Sequence, residues 1–189
     1  MNTCLIGFNL TNFLLAILLS KKGFEVDIVF DEKNKSKSNN RTIGISKKNI
    51  EFLKSILNIP NQYLWPIFQI EILNLKNDPS KKIKFKDDED ENFFLIKQSD
   101  LFQLSEKKCK QLKNIYFSKC SQNEILKLEK TNNYDLIFNS QSNNILIKKF
   151  FSNSIKKDYD SMAFTAILDH KKINNHTAVQ VFTLSLIHI

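Results

Sequence analysis

The first apolar segment of the chain ends in a glycine followed by polar residues, with the spacing of a dinucleotide-binding turn. The segment reads GFNLTN from Gly7 to Asn12. Dinucleotide folds use three glycines here, for a tight turn, for approach of the pyrophosphate and for close helix packing. Asn9 and Asn12 replace the second and third. Asn9 tolerates a left-handed backbone, and the following helix N-terminus attracts phosphate. An α/β domain that binds no nucleotide is the alternative.

The second apolar segment ends beside an acidic residue. Dinucleotide folds place an acid at the end of the second strand, where it holds the ribose hydroxyls. Counting from Gly7 without gaps puts Phe30 at that position and Asp31 one residue later. A slip of one residue turns a strand side chain to the other face. Asp31 therefore serves only if the strand ends or bulges at Phe30, and a solvated carboxylate beside Glu32 is the alternative.

Arg41 is the one arginine among 28 basic residues. A guanidinium presents a planar bidentate fork that lysine cannot copy. Arg41 opens the segment RTIGIS, which ends at Ser46. It is therefore a candidate binding residue.

The spacing of the histidines, cysteines and serines indicates neither a metal site nor a catalytic nucleophile. His170 and His176 lie around a turn-like Asn pair, and neither carboxylates nor cysteines complete a zinc site, so no metal is expected. Cys4, Cys109 and Cys120 are odd in number and share no CxxC spacing, which predicts reduced thiols and a cytoplasmic location. The sequence contains no serine nucleophile elbow and no P-loop.

Composition predicts a globular chain. With 189 residues and 42% hydrophobic content, a core of ordinary size can form. The net charge of +8 is spread along the chain without an arginine-rich stretch, so nucleic acid is not an expected partner. The longest apolar run, Phe13 to Leu19, is shorter than the ~20 residues of a membrane-spanning helix.

Periodicity predicts a β-α-β unit at the start of the chain. Its strands are Asn2 to Gly7 and Val26 to Phe30, and its helix runs from Thr11 to Lys22 and is closed by Gly23. Parallel pairing of such strands indicates a doubly wound sheet. A loop from Asp31 to Asn40 follows.

Further elements alternate between two patterns. Helices are predicted at Lys47 to Leu57 and at Ser99 to Leu112 with Ser99 as N-cap, and Trp65-Pro66 is predicted to be a turn. The predicted strands are Ile67 to Leu75 and Lys82 to Phe85 (antiparallel, joined near Asp78 to Ser80), Phe93 to Ile96, Asn114 to Phe117, Leu136 to Phe138, and an antiparallel pair at Met162 to Leu168 and Ala178 to Thr183. Asp87 to Glu91 is predicted to be an acidic surface loop.

The order α/β, antiparallel, α/β, antiparallel indicates two interleaved domains. Residues 1–64 and 94–155 are predicted to form an α/β domain, and residues 65–93 and 156–183 to supply the β segments of a second domain.

The segment from Arg41 to Ser46, the helix after it and Trp65-Pro66-Ile67 resemble the FAD-dependent aromatic hydroxylases of ubiquinone biosynthesis, which are group A flavin monooxygenases. In that family an Arg-[AT]-x-[AG]-[IL]-[SA] segment follows the second strand. The resemblance runs from about Asn2 to Thr183. It implies that Arg41 lies near the FAD diphosphate and that Gln98, in the segment LIKQSDL, approaches the flavin.

The chain departs from the family after the strand Leu136 to Phe138. The family has Gly-Ala-Asp-Gly and then a serine and an arginine, whereas this chain reads NSQS from Asn139, with Ile145 and Lys148 at the later positions. Reduced or lost FAD affinity is therefore an open alternative.

The resemblance implies a Rossmann-like FAD-binding domain interleaved with an antiparallel β substrate domain. It implies an FAD-dependent monooxygenase that hydroxylates an aromatic ring of a polyprenylated ubiquinone precursor, with NAD(P)H as electron donor and an association with the inner membrane or a quinone-biosynthesis complex. Because the flavin activates dioxygen, no residue is named as catalytic. The expected cofactor-binding residues are Gly7, Asn9, Asn12, Asp31, Arg41 and Gln98.

Two rival functions are weighed against this one. The first is a degenerate paralogue that serves as a scaffold or assembly partner in quinone biosynthesis, which the altered cofactor motifs favour. The second is a plain nicotinamide-dependent oxidoreductase, which the interleaved antiparallel segments disfavour.

The last six residues, LSLIHI from Leu184 to Ile189, also read as the translation of a transposon adapter used in DNA sequencing. The resembling family continues after Phe182-Thr183 with Gly-Pro-Leu. We therefore expect residues 184–189 to be non-native and the chain to be the N-terminal portion of a longer protein.

Overall fold

The structure is a computed structural model of the chain. It describes residues 1–34, 41–74, 82–86, 93–131, 133–141, 144–151, 155, 157–158, 160–164, 166–168 and 175–182. The predicted turn at residues 78–80, the acidic loop at 87–91, His170 and the six terminal residues lie outside this description.

Ten strands and five α-helices are assigned within the described residues. In chain order they are β1 (Asn2–Ile6), α1 (Leu10–Lys21), β2 (Glu25–Phe30), β3 (Thr42–Ser46), α2 (Lys47–Ile56), β4 (Trp65–Ile67), β5 (Gln69–Asn74), β6 (Lys82–Lys86), β7 (Phe93–Lys97), α3 (Gln98–Gln111), β8 (Ile115–Lys119), α4 (Gln122–Lys127), β9 (Leu136–Asn139), α5 (Ile145–Phe150) and β10 (Thr177–Phe182). None of these helices is long and apolar enough to cross a bilayer.

The chain divides into two compact units that alternate along the sequence. The first unit comprises Met1–Asn39 and Leu101–Asp158, and the second comprises Asn40–Asp100 and Tyr159–Ile189. These boundaries differ from the predicted ones, because residues 40–64 and 94–100 cluster with the second unit. The physical reason is that β3 and β4 both pair with β7.

The first unit contains a parallel four-stranded sheet in the order β8-β2-β1-β9. Strands β1, β2 and β9 lie parallel in it, and the parallel pairing of β1 with β2 is as predicted from the sequence. Helix α1 crosses between β1 and β2 and buries Phe13, Ala16 and Ile17. The ring of Phe13 meets those of Phe8 and Phe102 with centroids 4.9 and 5.0 Å apart.

Gly23 ends α1 as predicted. Its φ is +83°, its N–H donates to the carbonyl of Ser20 at 3.0 Å, and the N–H of Phe24 donates to that of Leu19 at 3.2 Å. This pair of bonds is a Schellman motif, which favours glycine because its backbone is left-handed. The chain then turns directly into β2.

A second apolar layer of this unit includes α4 and α5. Cys4, Ile6 and Val29 of the sheet pack with Ile125 of α4 and Leu146 of α5. Ser121 starts α4 with a capping box, in which its hydroxyl and the Glu124 carboxylate each accept a hydrogen bond from the backbone of the other residue.

The second unit contains two three-stranded sheets in the orders β3-β7-β4 and β10-β5-β6. The antiparallel pair β5 and β6 is confirmed, and so is the helix after β3. Helix α2 buries its predicted apolar face, formed by Ile50, Leu53, Ile56 and Leu57.

Four local predictions for this unit are wrong. Trp65-Pro66 is not a turn but begins β4, an edge strand, where a proline without an N–H is tolerated. Ser99 is not an N-cap, because α3 already begins at Gln98. The described residues of the segment from 162 to 168 form no strand and lie exposed, so the antiparallel pair predicted between this segment and residues 178–183 is not found among the described residues. Strand β10 pairs instead with β5, in parallel.

Candidate functional site

Gly7 forms the turn between β1 and α1 and can hardly be replaced. Its φ is +124°, a conformation that side chains rarely adopt. A Cβ on this residue would lie 2.8 Å from both Asn9 Nδ2 and Gln141 Cγ. The Gly7 N–H donates to the Val29 carbonyl at 2.8 Å, which ties the turn to β2. The role predicted for the first glycine, a tight turn, is the one that the geometry supports.

Asn9 caps the helix that follows. Its backbone is extended, with φ −150° and ψ 167°, so the left-handed conformation that an asparagine tolerates is not used here. Extended backbone is typical of an N-cap, whose side chain accepts from the first turn. The Asn9 Oδ1 accepts from the N–H of Asn12 at 3.0 Å, and its Nδ2 donates to Ser140 Oγ at 2.7 Å.

Asn12 occupies the position of the third glycine of the dinucleotide motif, and its side chain is buried. It is 1% exposed, and its Nδ2 donates to the Gly7 carbonyl at 2.8 Å. No described residue donates to its Oδ1. Asn12 thus joins the helix to the turn through its amide, where a glycine would allow direct backbone packing.

The loop after β9 meets the same turn. The Ser140 N–H donates to the Ile6 carbonyl at 3.2 Å, and the Asn139 Oδ1 accepts from the Gln141 N–H at 3.1 Å and from Asn144 Nδ2 at 2.7 Å. Sequence reasoning identified this loop only as a departure from the family. Its contacts with Asn9, 131 residues earlier in the chain, leave no local signal.

Asp31 satisfies the geometric condition set for it, because β2 ends at Phe30. Its carboxylate is already engaged: Oδ1 accepts from the Lys33 N–H and Oδ2 from Gln122 Nε2, both at 3.0 Å. The Gln122 bond and then the Lys33 bond lower the pKa of Asp31 below its ordinary value. A ribose would have to share or replace these donors.

Arg41 and Gln98 lie together in the second unit, where each flanks the β3–β7 pair. Arg41 Nε donates to Gln98 Oε1 at 2.5 Å, and the Gln98 N–H donates to the Arg41 carbonyl at 2.8 Å. No described residue accepts a hydrogen bond from the two terminal nitrogens of Arg41. Because Gln98 holds the guanidinium through Nε, the two terminal nitrogens can still bind an anion in bidentate fashion.

A cleft of the second unit includes this arginine. It has a volume of about 680 Å³ and is lined by Arg41, Thr42, Ile43, Gly44, Phe164 and Ala166. Ile43, Phe164 and Ala166 contribute apolar side chains to it, and Arg41 and Thr42 contribute polar ones. Such a lining suits a ligand that combines an anionic group with a flat apolar part.

The six predicted cofactor-binding residues are therefore divided between the two units. Gly7, Asn9 and Asn12 form one hydrogen-bonded cluster, and Asp31 follows the neighbouring strand of the same unit. Arg41 and Gln98 form a separate pair in the other unit.

His176, Cys4 and Cys109 have contacts that are typical of structural residues. His176 stacks on Trp65 with centroids 5.2 Å apart, and its Nδ1 bonds the Pro66 carbonyl at 2.8 Å. Burial raises the pKa of the Cys4 thiol and of the Cys109 thiol to about 12. Among the described residues no group of histidines, cysteines and carboxylates could hold a metal ion.

We expect the free energy of unfolding to fall at alkaline pH, because the Cys109 thiol is buried. Its folded pKa is raised, so its contribution is complete below the unfolded pKa and is lost as the pH rises toward 12. Relative to Cys109→Ala, the wild type should lose about 1 kcal/mol of unfolding free energy for each pH unit above roughly 8.5. Urea unfolding at pH 8 and pH 10.5 measures this difference.

Cys120→Ala is the matched control for that experiment, because Cys120 is only half-buried. We expect a smaller change with pH for this variant. A constant difference between wild type and Cys109→Ala at the two pH values would contradict the buried, protonated thiol.

The backbone of the first unit fits a dinucleotide cofactor. Gly7 supplies a turn that a Cβ would fill, between a parallel strand and the N-terminus of a helix. The side chains of Asn9 and Ser140 lie beside that turn, so a diphosphate would have to displace them or bind over them.

No family model matches the sequence, and no curated protein matches it. Solved structures do match. The tetrameric form of 2-methyl-3-hydroxypyridine-5-carboxylic acid oxygenase has a TM-score of 0.50 at 14% identity over 62% of this chain and 31% of its own. A probable FAD-dependent monooxygenase from Pseudomonas aeruginosa has a TM-score of 0.49 at 12% identity over 63% and 32%.

A third match is p-nitrophenol 4-monooxygenase from Pseudomonas putida, with a TM-score of 0.49 at 14% identity over 62% of this chain and 31% of its own. The chain thus spans about a third of the length of these structures. At such identities the likeness concerns the fold. The chain shares the mixed α/β fold of 2-methyl-3-hydroxypyridine-5-carboxylic acid oxygenase over about 62% of its length, with a parallel sheet and further sheets containing antiparallel pairs.

Proposed function

We propose that this chain is the FAD-binding portion of an FAD-dependent monooxygenase that hydroxylates an aromatic ring. The observation that carries the proposal is the Gly7 turn, which stands between β1 and the N-terminus of α1 in a fold shared with an aromatic-ring oxygenase. Bound FAD would supply the activation of dioxygen.

Each cofactor residue has a proposed task that its own chemistry allows. A pyrophosphate can reach the Gly7 backbone only if the side chains of Asn9, Ser140 and Gln141 are displaced, and α1 then presents N–H groups to it. Asn12 holds the helix against the turn through the Gly7 carbonyl. Asp31 accepts from ribose hydroxyls at the end of β2.

Arg41 and Gln98 are proposed to bind the diphosphate and to approach the flavin. The terminal nitrogens of Arg41 can pair with phosphate oxygens while Nε stays bonded to Gln98. This assignment rests on the family resemblance of the segment from Arg41 to Ser46.

The substrate that we propose is a polyprenylated precursor of ubiquinone, with NAD(P)H as electron donor. Its support is again the resemblance of the segment from Arg41 to Ser46 to the ubiquinone-biosynthesis hydroxylases. We propose a cytoplasmic protein that meets this substrate at the inner membrane or in a quinone-biosynthesis complex.

A scaffold role is the second candidate, and one observation favours it. The first-turn N–H of Asn12 and both oxygens of Asp31 already have protein partners, so three groups expected to serve the cofactor are engaged internally. A degenerate paralogue would keep such a fold without binding FAD.

Isotope labelling distinguishes the two functions. The intact protein is incubated with FAD, NADH or NADPH, ¹⁸O₂ and a short-chain polyprenyl phenol, and the product is analysed by mass spectrometry. A monooxygenase inserts one ¹⁸O atom into the ring. Nicotinamide oxidation that yields only hydrogen peroxide, or no flavin binding at all, would favour the scaffold.

A further inference from the structure

Three side chains surround the position that a Cβ would take at Gly7. The position of a hypothetical Cβ lies 2.8 Å from Asn9 Nδ2, 2.8 Å from Gln141 Cγ and 3.2 Å from Ser140 Oγ. We call Asn9, Ser140 and Gln141 the Gly7 cover. The absence of a Cβ at this position lets a pyrophosphate approach the backbone, so the cover occupies the space on which that approach depends.

Within the Gly7 cover, Asn9 competes with a phosphate for a backbone N–H of the first turn of α1. Its Oδ1 accepts from the Asn12 N–H, so one of the donors at the helix N-terminus is satisfied within the protein. Its Nδ2 donates to Ser140 Oγ at 2.7 Å, which fixes the side chain beside Gly7. A diphosphate that binds this N–H must break the cap.

The other half of the cover is anchored to regular structure. Ser140 follows β9, and its N–H donates to the Ile6 carbonyl at 3.2 Å. Gln141 is held by its N–H to Asn139 Oδ1, which also accepts from Asn144 Nδ2. Asn144 is 1% exposed, and its Oδ1 accepts from the Ile147 N–H at the start of α5.

We infer that the Gly7 cover is an internal gate that restricts FAD binding, and that Asn9 and Ser140 set the affinity for the diphosphate. This inference rests on the proposed function, since it concerns the same cofactor. The hydrogen bond between Asn9 and Ser140 opens when FAD binds, so a variant that lacks this bond binds FAD more tightly although it gains no contact.

Two substitutions test the gate in the 189-residue chain. Asn9→Gly removes the side-chain cap and the Asn9 part of the cover, and glycine at an N-cap is nearly as well tolerated as asparagine. Ser140→Ala removes the acceptor of the Asn9 amide and little volume. FAD binding is measured by quenching of flavin fluorescence, and folding by urea denaturation.

We expect Ser140→Ala to bind FAD roughly fivefold more tightly and Asn9→Gly about tenfold more tightly than the wild type. Ser121→Gly is the matched control, because it removes an N-cap whose described side-chain hydrogen bonds are all with Glu124. Its FAD affinity should equal that of the wild type.

The outcomes separate the inference from the proposed function. If wild type binds FAD and neither variant binds it more tightly, the gate is overturned and the proposed function stands. If neither the wild type nor the variants bind FAD, both are overturned. Tighter binding by Ser121→Gly as well would overturn the gate, since the effect would then come from capping alone.

Discussion

Replacing Gly7 by alanine is expected to lower the free energy of unfolding by about 3 kcal/mol and to abolish measurable FAD binding. The positive φ of +124° contributes part of this loss, because strained backbone conformations cost roughly 1–3 kcal/mol. The rest comes from the new Cβ, which would lie 2.8 Å from Asn9 Nδ2 and from Gln141 Cγ. Urea unfolding and flavin titration measure the two effects.

Gly23→Ala is the matched control, because it isolates the conformational part of the loss. Gly23 also has a positive φ, of +83°, but a Cβ there meets no atom within 4 Å. We expect a loss of about 1 kcal/mol for this variant and unchanged FAD affinity. Equal losses of stability in the two variants would show that the space beside Gly7 is not closed.

Replacing Arg41 by lysine is expected to weaken FAD binding about tenfold to a hundredfold while folding changes little. Lysine keeps the charge but loses the bidentate fork and the Nε donor to Gln98. A charge-assisted hydrogen bond contributes roughly 1.5–3 kcal/mol, which corresponds to this range of affinity. Flavin titration of both proteins at one salt concentration measures the change.

Gln98→Leu is the companion variant. It removes the acceptor of Arg41 Nε but leaves the terminal nitrogens, so a smaller loss of affinity is expected. If Arg41→Lys binds FAD as tightly as the wild type, Arg41 does not contact the cofactor and its place in the proposed site is wrong.

The parts of the fold that could be predicted are those with local signals. Apolar runs and Gly7 and Gly23 predicted β1, α1 and β2, because a strand, a helix and a left-handed stop each depend on a few neighbouring residues. The apolar face of α2 was predicted for the same reason.

The wrong predictions depended on partners distant in the sequence. Pro66 indicated a turn, but it lies in an edge strand, and edge position is decided by the pairing of β4 with β7. The alternation from Met162 to Leu168 indicated a strand, but Met162 and Leu168 are 83% and 79% exposed. Periodicity predicts a strand only if another strand offers hydrogen bonds to it.

The places of the candidate residues in the secondary structure were predictable, but their contacts were not. The spacing from Gly7 placed Asn9 and Asn12 correctly at the start of α1. The bonds of Asn9 to Ser140 and of Asp31 to Gln122 join residues 131 and 91 positions apart, which no local pattern indicates. These bonds decide whether the predicted residues are available to a ligand.

Comparing FAD with riboflavin tests the proposed function most directly. The proposed contacts of Gly7, α1 and Arg41 are all to the diphosphate, which riboflavin lacks. Fluorescence titration of the chain should therefore show saturable binding of FAD and at least tenfold weaker binding of riboflavin. Equal affinity for the two flavins, or no saturable binding of FAD, would contradict a dinucleotide site in this fold.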